Sequence, residues 1–143
     1  MKNLHINIYV SDALYLKNPE SSELGKSILT NSILLINELG FETFTFKKLG
    51  EKMTSPESSI YRYFENKHKL MVYLSSWYWS WIGYRLVFAT NNIRDPFEKL
   101  QIAITLVTEK IEDDYNTDYI NESILNTIII QEFTKSLHTK EVD

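Results

Sequence analysis

The sequence contains no cysteine. That excludes disulfide frameworks, zinc ribbons, thiol nucleophiles and iron–sulfur centres. It holds only four glycines and three prolines in 143 residues, and so few chain-breakers favour long helices over a loop-rich β fold. Apolar runs such as Ile128, Ile129 and Ile130 are far too short to span a bilayer. The N-terminus lacks the cationic, then apolar, then small-residue pattern of a secretory leader, so a cytoplasmic location is expected. Metal-binding His-x-x-x-His, nucleophilic Gly-x-Ser-x-Gly and phosphate-cradling glycine loops are missing as well. His5, His68 and His138 lie in three separate segments. Asp113, Asp114 and Asp118 offer oxygens, but the glycine and closing glutamate of a calcium loop are not there. A solvated loop is the simpler reading. The sequence therefore predicts no enzyme, no metal and no cofactor.

What is present is a globular composition, 43% hydrophobic and 24% charged, of a size for one domain or a small two-part protein. The net charge is −4, unlike the basic balance of a general nucleic-acid binder. Its distribution is uneven. Residues 41–70 carry six Lys/Arg against four acids, whereas residues 91–143 carry five against eleven. Chance clustering would produce such a contrast too, so it gains meaning only where a motif coincides with it.

Leu4, Ile6, Ile8 and Val10 alternate with period two, and beyond Ser11 and Asp12 residues 13–16 could pair back as a short β-hairpin. Helical signals follow. Leu24, Ile28, Ser32, Leu35 and Leu39 mark a first helix over residues 23–39, stopped by Gly40. Thr43 or Thr45 can cap a short second helix with Phe46, Leu49, Gly50 and Met53. Ser55 and Pro56 read as the cap and first turn of a third helix running through Phe64. A fourth helix is predicted from Lys67 to Thr90. A fifth starts at Asp95 and Pro96 and runs to about Glu112, and a sixth covers Glu122 to about Leu137.

Residues 28–70 hold the constellation that bears on function. Two short helices joined by a tight break, with a third packed before them, form a helix-turn-helix unit whose second helix enters the major groove. Leu49, Met53, Ile60 and Phe64 supply an inward set that would lock the angle. Glu57, Ser58, Ser59, Tyr61, Arg62, Tyr63 and Lys67 supply an outward set of hydroxyls, aromatics and cations suited to phosphates and base edges. The pattern alone also suits an ordinary surface.

Gly40, Phe41, Thr43, Thr45 and Phe46, then Leu49 and Gly50, then the run from Ser59 through Tyr61, Tyr63 and Phe64 to Lys67, resemble the DNA-binding domain of the TetR family of bacterial repressors. The resemblance covers about residues 24–72. It implies an all-α protein with three-helix, tetra-helical helix-turn-helix character, followed by a helical effector and dimerisation domain. It implies that Tyr61 and Lys67 grip phosphates and that Thr45 and Tyr63 touch the backbone. Lys47, Glu57, Ser58 and Arg62 fall where relatives face base edges, with Ser59 beside them. Arg62 suits bidentate reading of guanine or a phosphate contact; Glu57 suits a cytosine amine or, more simply, the helix dipole. The sequence departs from the pattern at the turn, where Thr54 stands for the usual glycine and Ser55 for an apolar residue, and at Ser58, where glycine is frequent.

On this reading residues 1–20 form an extended arm, residues 21–70 the DNA-binding domain, and residues 71–143 an incomplete ligand-binding and dimerisation region. Relatives in the family are longer, so truncation is expected, or else dimerisation by another route. The arm could touch DNA, join a dimer or cap the first helix; Leu4, Ile6 and Ile8 favour packing. Trp77, Trp81, Tyr84 and Phe88 share one helical face. They would line an effector pocket or, more simply, fill a core, while Tyr78 and Arg85 on another face are expected to be partly exposed. Phe97, Leu100, Ile104, Val107 and Ile111, and then Ile124, Ile128, Phe133 and Leu137, read as core stripes. The family implies a ligand-responsive repressor: a homodimer on a palindromic double-stranded DNA operator, released by a small-molecule effector of unknown identity. The rival reading is a helical protein-interaction module that no longer binds DNA.

Overall fold

The computed structural model describes residues 8–109, 111 and 118–142, with side chains through residue 135. In chain order the helices are α1 (Glu23–Leu39), α2 (Phe46–Met53), α3 (Glu57–Tyr61), α4 (Lys67–Thr90), α5 (Pro96–Thr108) and α6 (Glu122–Val142). Two 3-10 turns, Asp12–Leu14 and Pro19–Ser21, precede them. No strand occurs among the described residues, and the fold is all-α.

Side-chain caps set most of the helix starts. Each helix leaves its first amides without an internal partner, and a short polar side chain ahead of it supplies one. Ser22 Oγ accepts from Gly25 N at 3.0 Å, and Thr45 Oγ1 from Lys48 N at 3.1 Å. Asn66 Oδ1 accepts from Lys69 N at 2.9 Å, Asp95 Oδ1 from Phe97 N at 3.2 Å, and Asn121 Oδ1 from Ile124 N at 2.9 Å. Gly40, at φ 81°, ends α1 in a conformation that costs most other residues strain.

α1 is the central strut and packs against α2, α6 and the Pro19 turn. The last contact depends on Gly25, where a Cβ would lie 2.1 Å from the Pro19 carbonyl oxygen. Ile28, Leu29, Ile33 and Ile36 of α1 join Phe44, Leu49, Ile60 and Phe64 in one core, which continues through Tyr73, Trp77 and Trp81 of α4 to Leu125 and Ile128 of α6. Ser32 lies within it, fully buried, and its hydroxyl has no hydrogen-bond partner among the described residues.

The structure corrects several expectations. The proposed return strand of a hairpin is not a strand: Leu14 N bonds Ser11 O at 3.2 Å and closes a 3-10 turn over part of residues 13–16. Leu4 and Ile6 lie outside the described residues, as do most of the loop with Asp113 and Asp114, His5, and the side chains of Leu137 and His138. The third helix stops at Tyr61, short of Phe64, and its N-cap is Pro56 instead of Ser55. α5 stops at Thr108. Tyr78, expected at the surface, is 3% exposed, and its hydroxyl accepts from Asn126 Nδ2 at 2.5 Å. Arg85 is mostly covered and pairs with Glu109 at 2.8 Å. Phe97, Leu100, Ile104 and Val107, expected in the core, are 52% to 66% exposed, as is Phe133 at 66%.

Among the described residues no helix is long and apolar enough to cross a membrane.

Candidate nucleic-acid interface

α2 and α3 meet through three residues, and the geometry of that link fixes everything outside it. Thr54 adopts the left-handed conformation, φ 57° and ψ 42°, and its N–H and that of Ser55 bond back to Glu51 O and Gly50 O at 3.3 and 2.9 Å. Thr54 thus takes the left-handed conformation that glycine adopts most easily, at a strain of roughly 1–2 kcal/mol. Gly50 makes the tight return possible: a Cβ there would sit 2.8 Å from Ser55 O. Leu49 and Ile60, both fully buried, then hold the two helices in the common core.

An aromatic row braces the outer edge. Phe44 meets Phe46 at 6.3 Å, and Phe46 meets Tyr61 edge to face at 4.9 Å. Tyr61 is braced by that contact and remains 46% exposed. Thr45, Lys47, Glu57, Ser58 and Arg62 are exposed on the same unit, and Ser59 is half-buried. Among the described residues neither Lys47 nor Arg62 has a hydrogen-bond or ion-pair partner. These side chains share a rigid, short-linked scaffold and are free to engage a ligand.

Two of the sequence-predicted residues do other work. Tyr63 is 2% exposed, and its hydroxyl hydrogen-bonds Ser22 Oγ at 2.6 Å. It lies three residues after Ile60, on the inward side, and the chain has already left the helix. Its carbonyl accepts from Leu16 N at 2.8 Å, so Tyr63 ties the arm to α1 and to the head. Lys67 is likewise committed. Its Nζ donates to Phe41 O, Glu42 O and Phe44 O at 2.9, 3.1 and 2.9 Å, and lies 4.7 Å from the Phe41 ring centre. All three ammonium donors are used in clamping the α1–α2 loop onto the start of α4.

Sequence reasoning missed two cations beside the face. Lys48 is exposed and reaches Thr43 O at 3.1 Å. Lys17, from the arm, stands 5.1 Å over the Tyr63 ring. Its one signal was a lone lysine next to the turn at Asn18 and Pro19.

The proposed aromatic pocket does not form from its four members. Trp77 and Trp81 are each 2% exposed and stack on one another at 6.1 Å, with the Arg85 guanidinium 4.9 Å from the Trp81 ring. Tyr84 and Phe88 are 45% and 71% exposed, because α4 outruns the core that covers its first half. Among the described residues, open clefts lie elsewhere. One, of about 560 Å³, lies between the end of α1 and α6 and includes Gly40, Ile130 and Lys135; the other, of about 280 Å³, runs along α5 at Gln101, Thr105 and Glu109.

No protein-family model, no curated protein and no solved structure matches the chain.

Proposed function

We propose that this chain is a sequence-specific DNA-binding transcriptional regulator of the kind its residues 24–72 resemble, a ligand-responsive repressor of TetR type. Two copies bind a palindromic operator in the cytoplasm, each laying α3 in the major groove. One observation carries the reading: a short left-handed link joins α2 to α3 and leaves Lys47, Glu57, Ser58, Tyr61 and Arg62 exposed around it, with both cations unpaired among the described residues. Arg62 is the candidate for base reading. Lys47, which the resemblance puts at base edges, lies on α2 and not on α3, and with Lys48 and Thr45 it is a candidate for the phosphates that flank Arg62. Tyr63 and Lys67 contribute by holding the head in shape. The effector's site is not assigned to the Trp77 and Trp81 face, which is filled core.

The test is selection of binding sites from a random duplex pool at moderate salt. A palindrome should be enriched. Arg62→Ala should then lose about 1–3 kcal/mol and relax preference at one position. Lys47→Ala should weaken all sequences evenly and lower the salt dependence by about one ion. No enrichment, or binding untouched by either substitution, would overturn the proposal. Lys67→Ala is a poor probe, because it unclamps the loop as well.

The second reading, a helical protein-interaction module, is favoured by the exposed apolar side chains of α5 and by the acidic balance of residues 91–143. In that case duplex binding would be missing while the fold stayed intact.

A further inference from the structure

The arm leaves one cation fixed at the end of α3. Leu16 N donates to Tyr63 O at 2.8 Å, one residue beyond Arg62, the C-cap of α3. On one side of that tie the Tyr15 ring meets Tyr73 of α4 edge to face at 6.0 Å. On the other side Asn18 Oδ1 accepts from Glu20 N at 2.9 Å and opens the turn whose buried Pro19 lies against Gly25. Lys17 stands between these anchors, exposed, with its Nζ 5.1 Å from the centre of the Tyr63 ring. It has no ion pair among the described residues. Glu20, the nearest acid in the sequence, is engaged by Tyr119 and Trp77 instead. The Tyr63 hydroxyl is held below the usual tyrosine range, first by its bond to Ser22 and then, against the effect of burial, by Lys17 and the charge of Arg62. Both cations thus act on one side chain.

We infer that Lys17 is a contact to the DNA backbone, a phosphate clamp that the arm places beside the end of α3. The inference rests on the DNA-binding reading and adds a second segment of the chain to that interface. The chemistry fits a phosphate better than a base edge. A lysine ammonium is a compact point charge with rotatable donors, which suits a phosphate oxygen and not the two-point reading of a base. The ties at Tyr15, Leu16 and Asn18 already order the backbone around it, so less freedom is lost when the cation meets its anion. The ring beneath guides the ammonium without using up its three donors, whereas Lys67 spends all of its own on carbonyls. Tyr63 itself is covered, and its hydroxyl is taken by Ser22. The exposed charge at this point of the head is therefore the arm's.

The test is the affinity of the full chain for duplex across a range of salt, measured by fluorescence anisotropy on a random duplex and on the enriched one. Lys17→Gln should weaken both evenly, by roughly 3- to 10-fold, and lower the slope of log affinity against log salt by about 0.9. Base preference should stay that of the parent, unlike in Arg62→Ala. Lys17→Arg keeps the charge and should keep the slope. The chain has no native cysteine, so Lys17→Cys bearing an iron chelate should cut the sugar–phosphate backbone of a bound duplex. Lys99→Cys, at an exposed position of α5, should not. A parental slope in Lys17→Gln, or cutting no stronger from residue 17 than from residue 99, would overturn the inference; an Arg62→Ala that still lost binding would leave the DNA-binding reading standing. A Lys17→Gln that melts earlier and loses base preference at a parental slope would make the lysine a brace for Tyr63 and overturn the inference in the same way. A parent that binds no duplex would overturn both.

Discussion

Ile28, Leu29, Ile33, Leu49 and Ile60 in α1 to α3 are wholly buried, while Phe97, Leu100, Ile104 and Val107 in α5 are more than half exposed. Both sets are aliphatic or aromatic, and both sit at helical spacing. They differ in what stands opposite. α1 is flanked by α2, by α6 and by the Pro19 turn, so its stripe is enclosed. α5 packs on α4 alone among the contacts of any extent, so one side is covered and this face is left over. Periodicity reports that a helix has an apolar face; it does not report whether the same chain supplies the cover.

The largest expected effect tests that contrast directly. Leu49→Ala should cost about 2–5 kcal/mol, because a closed core cannot refill the space. Ile104→Ala in dilute protein should stay within about 0.5 kcal/mol, as for a surface change. Urea unfolding of the two variants measures both. Equal losses would mean that the α5 face is enclosed after all and would remove the contrast.

The same contrast holds for polar groups. In the head, Lys47 and Arg62 are unpaired among the described residues, whereas Lys67 is bound into the scaffold. Lys67→Met keeps the stem but strips three carbonyls of a charged donor, at about 1.5–3 kcal/mol for bonds of this kind. Denaturant unfolding should register that loss. If instead stability is unchanged and only duplex affinity falls, the lysine belongs to the interface and not to the clamp.

Thr54→Gly should move the other way and by less. The left-handed backbone strains threonine by roughly 1–2 kcal/mol, offset in part by the greater freedom of glycine in the unfolded chain. A net gain of about 0.5–1 kcal/mol is expected from thermal unfolding. A loss would mean that the hydroxyl or methyl of Thr54 holds the turn. The absence of glycine at this position had put the turn geometry in question from sequence, yet the backbone adopts the left-handed form with threonine.

Much of the helical layout was legible because caps are local. Ser22, Thr45, Asn66 and Asp95 each satisfy amides within three residues, so the starts of α1, α2, α4 and α5 could be read from neighbours alone. The exposure of Lys47, Tyr61 and Arg62 was legible for the same reason: Lys47 and Tyr61 lie on short helices whose inward residues are plain, and Arg62 caps the second of them. The partners of Tyr63 and Lys67, Ser22 and the carbonyls near Phe41, were not legible, because only the packing of α1 brings them together. The arm packs at Ile8, as its apolar residues led one to expect, but the hairpin was misread, because Ile8 and Val10 are buried in the common core and not against a return strand.

The smallest effect concerns the place where the arm meets the body. Glu20, in the Pro19 turn, accepts from Tyr119 Oη at 2.9 Å and carries a carboxyl pushed above the usual range. Burial is the main cause, and the hydrogen bonds from Tyr119 and Trp77 and the charge of Lys26 counter it only in part. The folded state therefore holds this proton more tightly than the unfolded chain does. The stability Glu20 contributes is complete when the group is protonated in both states, and it is lost as pH rises through the folded value. Glu20→Gln keeps an acceptor for Tyr119 without the charge. Its melting temperature should exceed the parent's at neutral pH, and the two should converge below the ordinary glutamate range. Subtracting one melting curve from the other removes every other carboxylate, since those are common to both proteins. A constant offset at all pH values would assign the difference to packing, and a parent that gained on the variant with rising pH would mean that the charged carboxylate is what holds the arm down.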